Sequence, residues 1–293
     1  MFIDSIYMSS ENETKLMSIY NKQLLNLKVN YESKMINTRF GYTYLLATGP
    51  KDAEPVIFFH AANCTNPFCL QWFLPIAKKY RVYSPDIIGQ PGRSSQTQLS
   101  CNDDSYGAWA ADIIRELGLE KCHCLGSSFG GGILLKLAAY APQLIKSASL
   151  IVPTTISNIP SIQSLKIALY SLSYGLSSSK KKLCKILQPL CDEIDDNMLE
   201  MAEAFYKNTK LRINPPNNIG KSNLENFQAP VLIIAAEKDV LFPGKEMIEK
   251  AKKIIPNVIA AELLEGSPHM FAKPSERLDY VNNRILSFLE NVR

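Results

Sequence analysis

Histidine is scarce in this chain: three in 293 residues, at positions 60, 123 and 269. Any chemistry that needs an imidazole therefore has few places to reside. Long apolar runs are missing as well. No stretch approaches the roughly 18 consecutive apolar residues of a membrane helix. The segment Met1-Phe2-Ile3-Asp4-Ser5-Ile6-Tyr7 has neither a basic n-region nor a long apolar h-region. These absences lead us to expect no membrane contact and no export. A strong charge bias is lacking too. The net charge is +4 and the basic residues are scattered. The tightest run, Lys180-Lys181-Lys182 with Lys185, reads as a solvated helix face, so no nucleic-acid partner is expected. The seven cysteines are odd in number and lack an export signal, which points to reduced thiols in a cytoplasmic protein. Cys122-x-Cys124 is too tight for the usual zinc spacing, and strand alternation puts both on one face. Cys64 and Cys69 lie five apart beside a loop. No metal and no cofactor are expected. Internal repeats and low-complexity tracts are also missing.

What is present is ordinary globular material, 46% hydrophobic and 20% charged. The length fits one α/β domain with an insertion, or two small domains. Ser10-Glu11-Asn12-Glu13 reads as a capping box, followed by Leu16, Ile19, Tyr20, Leu24 and Leu27 at helical spacing. This helix is expected to pack on the domain, with a dimer contact or a flap over the site as alternatives. Tyr31–Thr38 and residues 42–47 read as a hairpin. Pro55–His60 is a continuous apolar run, as in a strand buried on both faces. Then come a helix over Cys69–Tyr80, a strand over Arg81–Ile87, a helix over Ser105–Leu117, a strand ending in Cys122–Leu125 with its helix, and a strand over Lys146–Pro153. The alternation stops for about 65 residues of helical pattern, Ile162–Leu176, Lys181–Leu190 and Asp196–Lys207, closed by a Pro215-Pro216-Asn217-Asn218 break. It resumes with strands over Pro230–Ala235 and Val258–Leu264, and with helices over Pro243–Ile255 and Pro274–Val292. Such alternation predicts a mostly parallel sheet of about eight strands, covered on both faces.

The most informative stretch is Gly126-Ser127-Ser128-Phe129-Gly130, between a short apolar strand and a helix start. Gly-x-Ser-x-Gly in that context is a nucleophile elbow, with its serine exposed on a strained turn. The flanking glycines suit a turn where a Cβ would clash. The amide of Phe129 and the positive end of the helix dipole then face any oxyanion formed at Ser128. In a doubly wound sheet, reactive groups gather at the C-terminal ends of strands. His60, Asp86, Ser128, Asp239 and His269 all fall at such ends, so all five are expected on one rim. A serine hydroxyl needs an adjacent base, and His269 is the candidate. Asp239 would orient the imidazole, with Glu237 as the nearby competitor. The order Ser128, Asp239, His269 is the one this elbow requires.

With these residues in place the chain resembles the α/β-hydrolase superfamily over nearly its full length. It looks most like small serine carboxylesterase-like members with a helical cap. His60-Ala61-Ala62-Asn63 resembles the His-Gly oxyanion loop, and Asp86-Ile87-Ile88-Gly89-Gln90-Pro91-Gly92-Arg93-Ser94 resembles the turn after the next strand. The resemblance implies that His60 is structural. It implies a second oxyanion amide from Ala62, or from Ala61, beside that of Phe129. Ala61, Asn63 and Ser127 would then adjoin the substrate. Ala61 replaces the usual glycine, which would require a different φ or a shifted loop. Ala236 stands where glycine is common, the Asp86 turn is one residue longer than usual, and Pro268 stiffens the histidine loop. Residues 1–157 and 222–293 would form the core, with residues 1–29 as a helical N-terminal extension, and residues 158–221 the cap. The large apolar residues of the insertion, Leu165, Ile167, Leu169, Tyr170, Leu172, Met198, Met201, Phe205 and Tyr206, would be cap core, cap–domain contact or the roof of an acyl pocket. The implied activity is hydrolysis of small or medium apolar esters by a cofactor-free monomer or homodimer. The alternatives are a C–C bond hydrolase or haloperoxidase-like enzyme with the same triad, and a non-catalytic binding protein on this scaffold.

Overall fold

The computed structural model describes residues 5–157, 162–176, 178–210, 217–271 and 275–292. The chain begins with helix α1 (Ser10–Asn26) and a hairpin, β1 (Tyr31–Thr38) and β2 (Gly41–Thr48). Then come β3 (Pro55–Phe59), α2 (Asn66–Phe73), β4 (Arg81–Pro85), α3 (Ser105–Glu116), β5 (Cys122–Ser127), α4 (Phe129–Tyr140) and β6 (Ile145–Ile151). An insertion carries α5 (Ile162–Leu176), α6 (Lys180–Leu187) and α7 (Asp196–Asn208), followed by the short α8 (Lys221–Leu224). The chain closes with β7 (Val231–Ala236), α9 (Gly244–Ile254), β8 (Val258–Leu264) and α10 (Glu276–Asn291). The eight strands form one sheet in the order β1-β2-β4-β3-β5-β6-β7-β8, antiparallel at β1–β2 and β2–β4 and parallel elsewhere. This is the mostly parallel, doubly wound sheet that the alternation predicts.

The two faces bury separate cores. On one face Phe58, Leu125, Leu232 and Ile234 pack with Tyr20, Leu24, Phe68, Phe73, Val281 and Ile285 of α1, α2 and α10, and with Met198, Met201 and Phe205 of the insertion. On the other, Ile57, Phe59, Cys124 and Ile233 pack with Trp109, Ile113, Ile133, Leu137 and Met247 of α3, α4 and α9. The central strands β5 and β7 are buried at every position. That is why β7 lacks period-two alternation and reads as a continuous apolar run.

Several boundaries differ from expectation for identifiable reasons. Helix α1 is capped by Ser9, whose side chain accepts from the Asn12 amide, so no capping box forms at Ser10. The segment expected as one helix over Cys69–Tyr80 is two pieces. Thr65 caps α2 with Pro67 in its first turn, and after Pro75 only a short 3-10 turn, Ile76–Lys78, follows. Leu165, Leu169 and Leu172 are not buried in the insertion; they are 60%, 58% and 58% exposed on α5. The break at Pro215-Pro216, the junction at residues 158–161 and the helix start at Pro274 lie outside the described residues.

The N-terminal segment links core and insertion. Helix α1 lies against α2 and α7, with a Lys22–Glu200 ion pair at 2.7 Å. Ahead of it Tyr7 forms an antiparallel bridge to Thr209, and the Lys210 amide donates to Ile6 O at 2.8 Å. Among the described residues no helix is long and apolar enough to cross a membrane.

His123 lies inside β5, fully buried, with Nδ1 2.6 Å from Ser147 Oγ and its ring edge-on to Tyr80. Burial lowers its pKa below the ordinary imidazole value, against the opposing pull of Glu54. The unfolded chain therefore binds a proton that the folded chain resists. The residue's stabilising contribution is present above the unfolded-state pKa of about 6.5 and is lost as pH falls toward the folded one. Urea unfolding at about pH 7.5 and about pH 5.5 should show a smaller acid loss in His123→Gln than in the wild type. An equal loss would assign the acid sensitivity to other groups.

Candidate active site

The site is built at the C-terminal ends of β3, β5, β7 and β8. Ser128 directly follows β5 and occupies the N-cap of α4 at φ 51° and ψ −114°. That conformation costs a non-glycine residue about 1–3 kcal/mol and is held by its surroundings. The Ser128 amide donates to Ile151 O at 2.9 Å, and its carbonyl accepts from Thr154 N at 3.1 Å and Gly132 N at 3.2 Å. The elbow also depends on close backbone approach. A Cβ at Gly126 would stand 2.5 Å from Gly130 O, and one at Gly130 would stand 2.0 Å from Phe59 O. Only glycine lets α4 press this closely on β5 and β3.

Asp239 ends the turn after β7. Its Oδ1 accepts from the amides of Leu241 at 2.8 Å and Phe242 at 3.0 Å. That leaves Oδ2 for His269 Nδ1, 2.7 Å away. A carboxylate facing Nδ1 fixes the proton there, so Nε2 is the acceptor. Nε2 lies 3.0 Å from Ser128 Oγ, which donates to it. Asp239 and His269 are both buried, while Ser128 is half-buried. The Phe242 ring packs edge-on against the imidazole, at 5.5 Å between centroids. The histidine loop is braced from both sides. Lys238 N donates to Ser267 O at 2.8 Å, and Met270 N donates to Leu190 O at 2.7 Å. A parallel bridge between Cys191 and Met270 extends the second brace into the insertion.

Of the five strand-end residues expected on one rim, three are joined: Ser128, Asp239 and His269. The other two also stand at strand ends, directly after β3 and β4, but they are buried and engaged by neighbouring groups there. Asp86 accepts from Tyr20 OH at 2.9 Å and from Arg93 N at 2.6 Å. Burial raises its pKa despite these donors. His60 Nε2 accepts from Ile87 N at 3.0 Å, so Nδ1 carries the proton and donates to Ala61 O at 2.7 Å. Glu237 is no rival to Asp239: its carboxylate accepts from Gly266 N at 2.9 Å and faces Lys245.

The loop after β3 meets the elbow across the short contact between Gly130 and Phe59. Ala61 needs no left-handed backbone; that conformation is taken by Asn63, at φ 62°. Asn63 is exposed and its amide donates to Gln90 Oε1 at 2.9 Å. Ser127 is buried at the end of β5, and Ala61 and Ala62 are half-buried. Among the described residues, neither Asn63 nor Ser127 hydrogen-bonds to Ser128, Asp239 or His269. Neither the Ala62 nor the Phe129 amide has a described protein acceptor. The bracing by Leu241, Phe242, Gln90 and Leu190 was not legible in the sequence, because each is a backbone group or a distant side chain with no motif.

His60, Cys64 and Cys69 place their nitrogen and sulfur atoms within 4.8 Å of one another. As a metal site the cluster is poor, because both His60 nitrogens are already engaged by backbone groups.

Comparison with known proteins agrees with this architecture. A family model described as the alpha/beta hydrolase fold matches residues 54–177. The chain is 27% identical to the "Uncharacterized carboxylesterase nap" of Bacillus subtilis, across 95% of this chain and 93% of that one. It is 26% identical to carboxylesterase YbfK of the same organism, across 99% and 98%. The crystal structure of naproxen esterase from Bacillus subtilis superposes with a TM-score of 0.83 at 26% identity, covering 96% of this chain and 99% of that one. The sheet order, the elbow and these full-length likenesses agree: the chain has the α/β-hydrolase fold and is similar over nearly its whole length to carboxylesterases.

Proposed function

We propose that the protein hydrolyses carboxylic esters of small or medium, apolar substrates through an acyl-enzyme on Ser128. The observation that carries this reading is the unbroken hydrogen-bond chain from Ser128 through His269 to Asp239. His269 Nε2 takes the Ser128 proton as Oγ attacks the ester carbonyl. Asp239 holds the imidazole in the acceptor tautomer and stabilises the imidazolium that forms. The amides of Phe129 and Ala62 receive the oxyanion, the first at the positive end of α4. The imidazolium returns its proton to the departing alcohol. Water, deprotonated by the same histidine, then releases the acid and restores Ser128. No redox or electron-sink chemistry is required by these steps.

In this reading residues 158–221 act as a cap, closing over the acyl pocket. The Cys191–Met270 bridge supports it, because it ties the insertion to the loop that carries His269. The protein would work in the cytoplasm as a monomer or homodimer, without nucleic acid or membrane. A fluorophosphonate probe tests the assignment directly. It should label the folded protein on the peptide containing Ser128, and p-nitrophenyl esters of short and medium chain should turn over faster than long ones. Absence of label on folded protein would favour a binding role, and faster cleavage of a vinylogous diketone would favour C–C hydrolysis.

A further inference from the structure

Beside the elbow lies a thiol pair that the acyl-transfer chemistry does not use. Cys64 Sγ and Cys69 Sγ are 3.0 Å apart and both residues are buried. Their closeness has a local cause. Thr65 is the N-cap of α2, so Cys64 stands at N′ and Cys69 at N4, the two positions whose side chains meet in a hydrophobic staple. In this chain the staple is made of two sulfurs. The Cys64 thiol has a second contact: it donates to Ala61 O at 3.1 Å, the same carbonyl that accepts from His60 Nδ1.

That carbonyl belongs to the peptide unit whose N–H is the Ala62 amide. A trans peptide is planar, with C=O and N–H pointing in opposite directions. Whatever grips the Ala61 oxygen therefore aims the Ala62 N–H. His60 and Cys64 are the two grips.

We propose that Cys64 and Cys69 are a peroxide-oxidisable pair, whose closure into a disulfide withdraws the Cys64 grip and loosens the oxyanion amide. This rests on the oxyanion role assigned above to Ala62. Within the pair, the Cys64 thiol is held up by Cys69 and by burial, whereas Cys69, against the opposing effect of its own burial, is drawn below the ordinary thiol value. Cys69 is thus the nucleophile. Its thiolate attacks hydrogen peroxide, forming the sulfenic acid and releasing hydroxide. Cys64 then loses its proton and attacks that sulfur, and the hydroxyl leaves as water. Two thiols are oxidised by two electrons, and one peroxide becomes two waters. Peroxide is close to water in size, which suits buried sulfurs. Closure needs only about 1 Å of sulfur movement, toward the ordinary bond length of about 2.05 Å.

The test uses the whole protein. After peroxide and catalase, the tryptic peptide spanning residues 52–78, which holds both cysteines, should be two hydrogens lighter and resist alkylation. kcat on a p-nitrophenyl ester should fall about threefold with KM unchanged, the scale of one weak hydrogen bond, and dithiothreitol should restore it. Cys64→Ala should show the lowered kcat without peroxide. Cys69→Ser, or Cys69→Ala should the serine variant fold poorly, should keep the reduced enzyme's kcat and resist peroxide. An alkylatable peptide after treatment, or peroxide inactivation that persists in the Cys69 variants, would overturn the proposal. The mass measurement does not depend on ester hydrolysis, so failure of the pair and failure of the esterase reading are separable.

Discussion

Ser128→Ala is expected to lower kcat/KM on p-nitrophenyl esters by about 10⁴- to 10⁶-fold, the scale seen when the nucleophile of such a unit is removed. The protein should stay folded. Ser128 Oγ has His269 as its hydrogen-bond partner, and the strained backbone at φ 51° is held by Ile151, Thr154 and Gly132, not by the hydroxyl. Circular dichroism and thermal unfolding should therefore match the wild type within a few degrees. A residual rate close to the wild type in a folded variant would remove Ser128 from the chemistry. It would also leave the Asp239–His269 pair without an evident purpose.

Gly130→Ala should produce the largest loss of stability of any one-methyl change near the site. The new Cβ would lie 2.0 Å from Phe59 O, 2.4 Å from Phe59 C and 2.7 Å from His60 O, all backbone atoms of β3 and its following residue. No rotamer change can relieve contacts with backbone. Either α4 must retreat from the sheet or the end of β3 must bend. We expect about 3 kcal/mol or more of destabilisation, read as a lower urea midpoint with an unchanged slope. The folded fraction should also be less active, because the same retreat separates the Phe129 amide from the Ala62 amide. A variant within about 0.5 kcal/mol of the wild type would mean that the close approach is not required.

Much of this organisation was legible in the sequence because it is local. The elbow announces itself through glycines on both sides of a serine, and the buried strands through apolar runs of the right length. The strand order was not legible, because hydrophobic runs say which segments are buried and not which lie side by side. His60 and Asp86 stand at strand ends as expected, but what engages them there was not legible, for a related reason. Position at a strand end does not tell whether a side chain meets solvent or is consumed by neighbouring backbone, as His60 is by Ile87 and Ala61. The start of α2 could have been read correctly. Thr65 followed by Pro67 is a helix N-terminus signature, and it would have placed Cys64 and Cys69 in the staple. The exposed leucines of α5 carry the opposite lesson, since their spacing is compatible with burial and only the surrounding elements decide it.

The strand order also has a consequence for how the molecule comes into being. The strained serine directly follows β5 near the middle of the sheet, whereas His269 follows β8, the last strand to be made and an edge of that sheet. A ribosome-bound chain presents the elbow long before it presents His269. Domains fold broadly in the order in which they are synthesised, and contacts between distant segments form late. The growing chain therefore carries the Ser128 hydroxyl before the imidazole proposed to activate it. In the proposed mechanism acyl-transfer competence would therefore arise only when the final strand docks and brings the imidazole to Ser128.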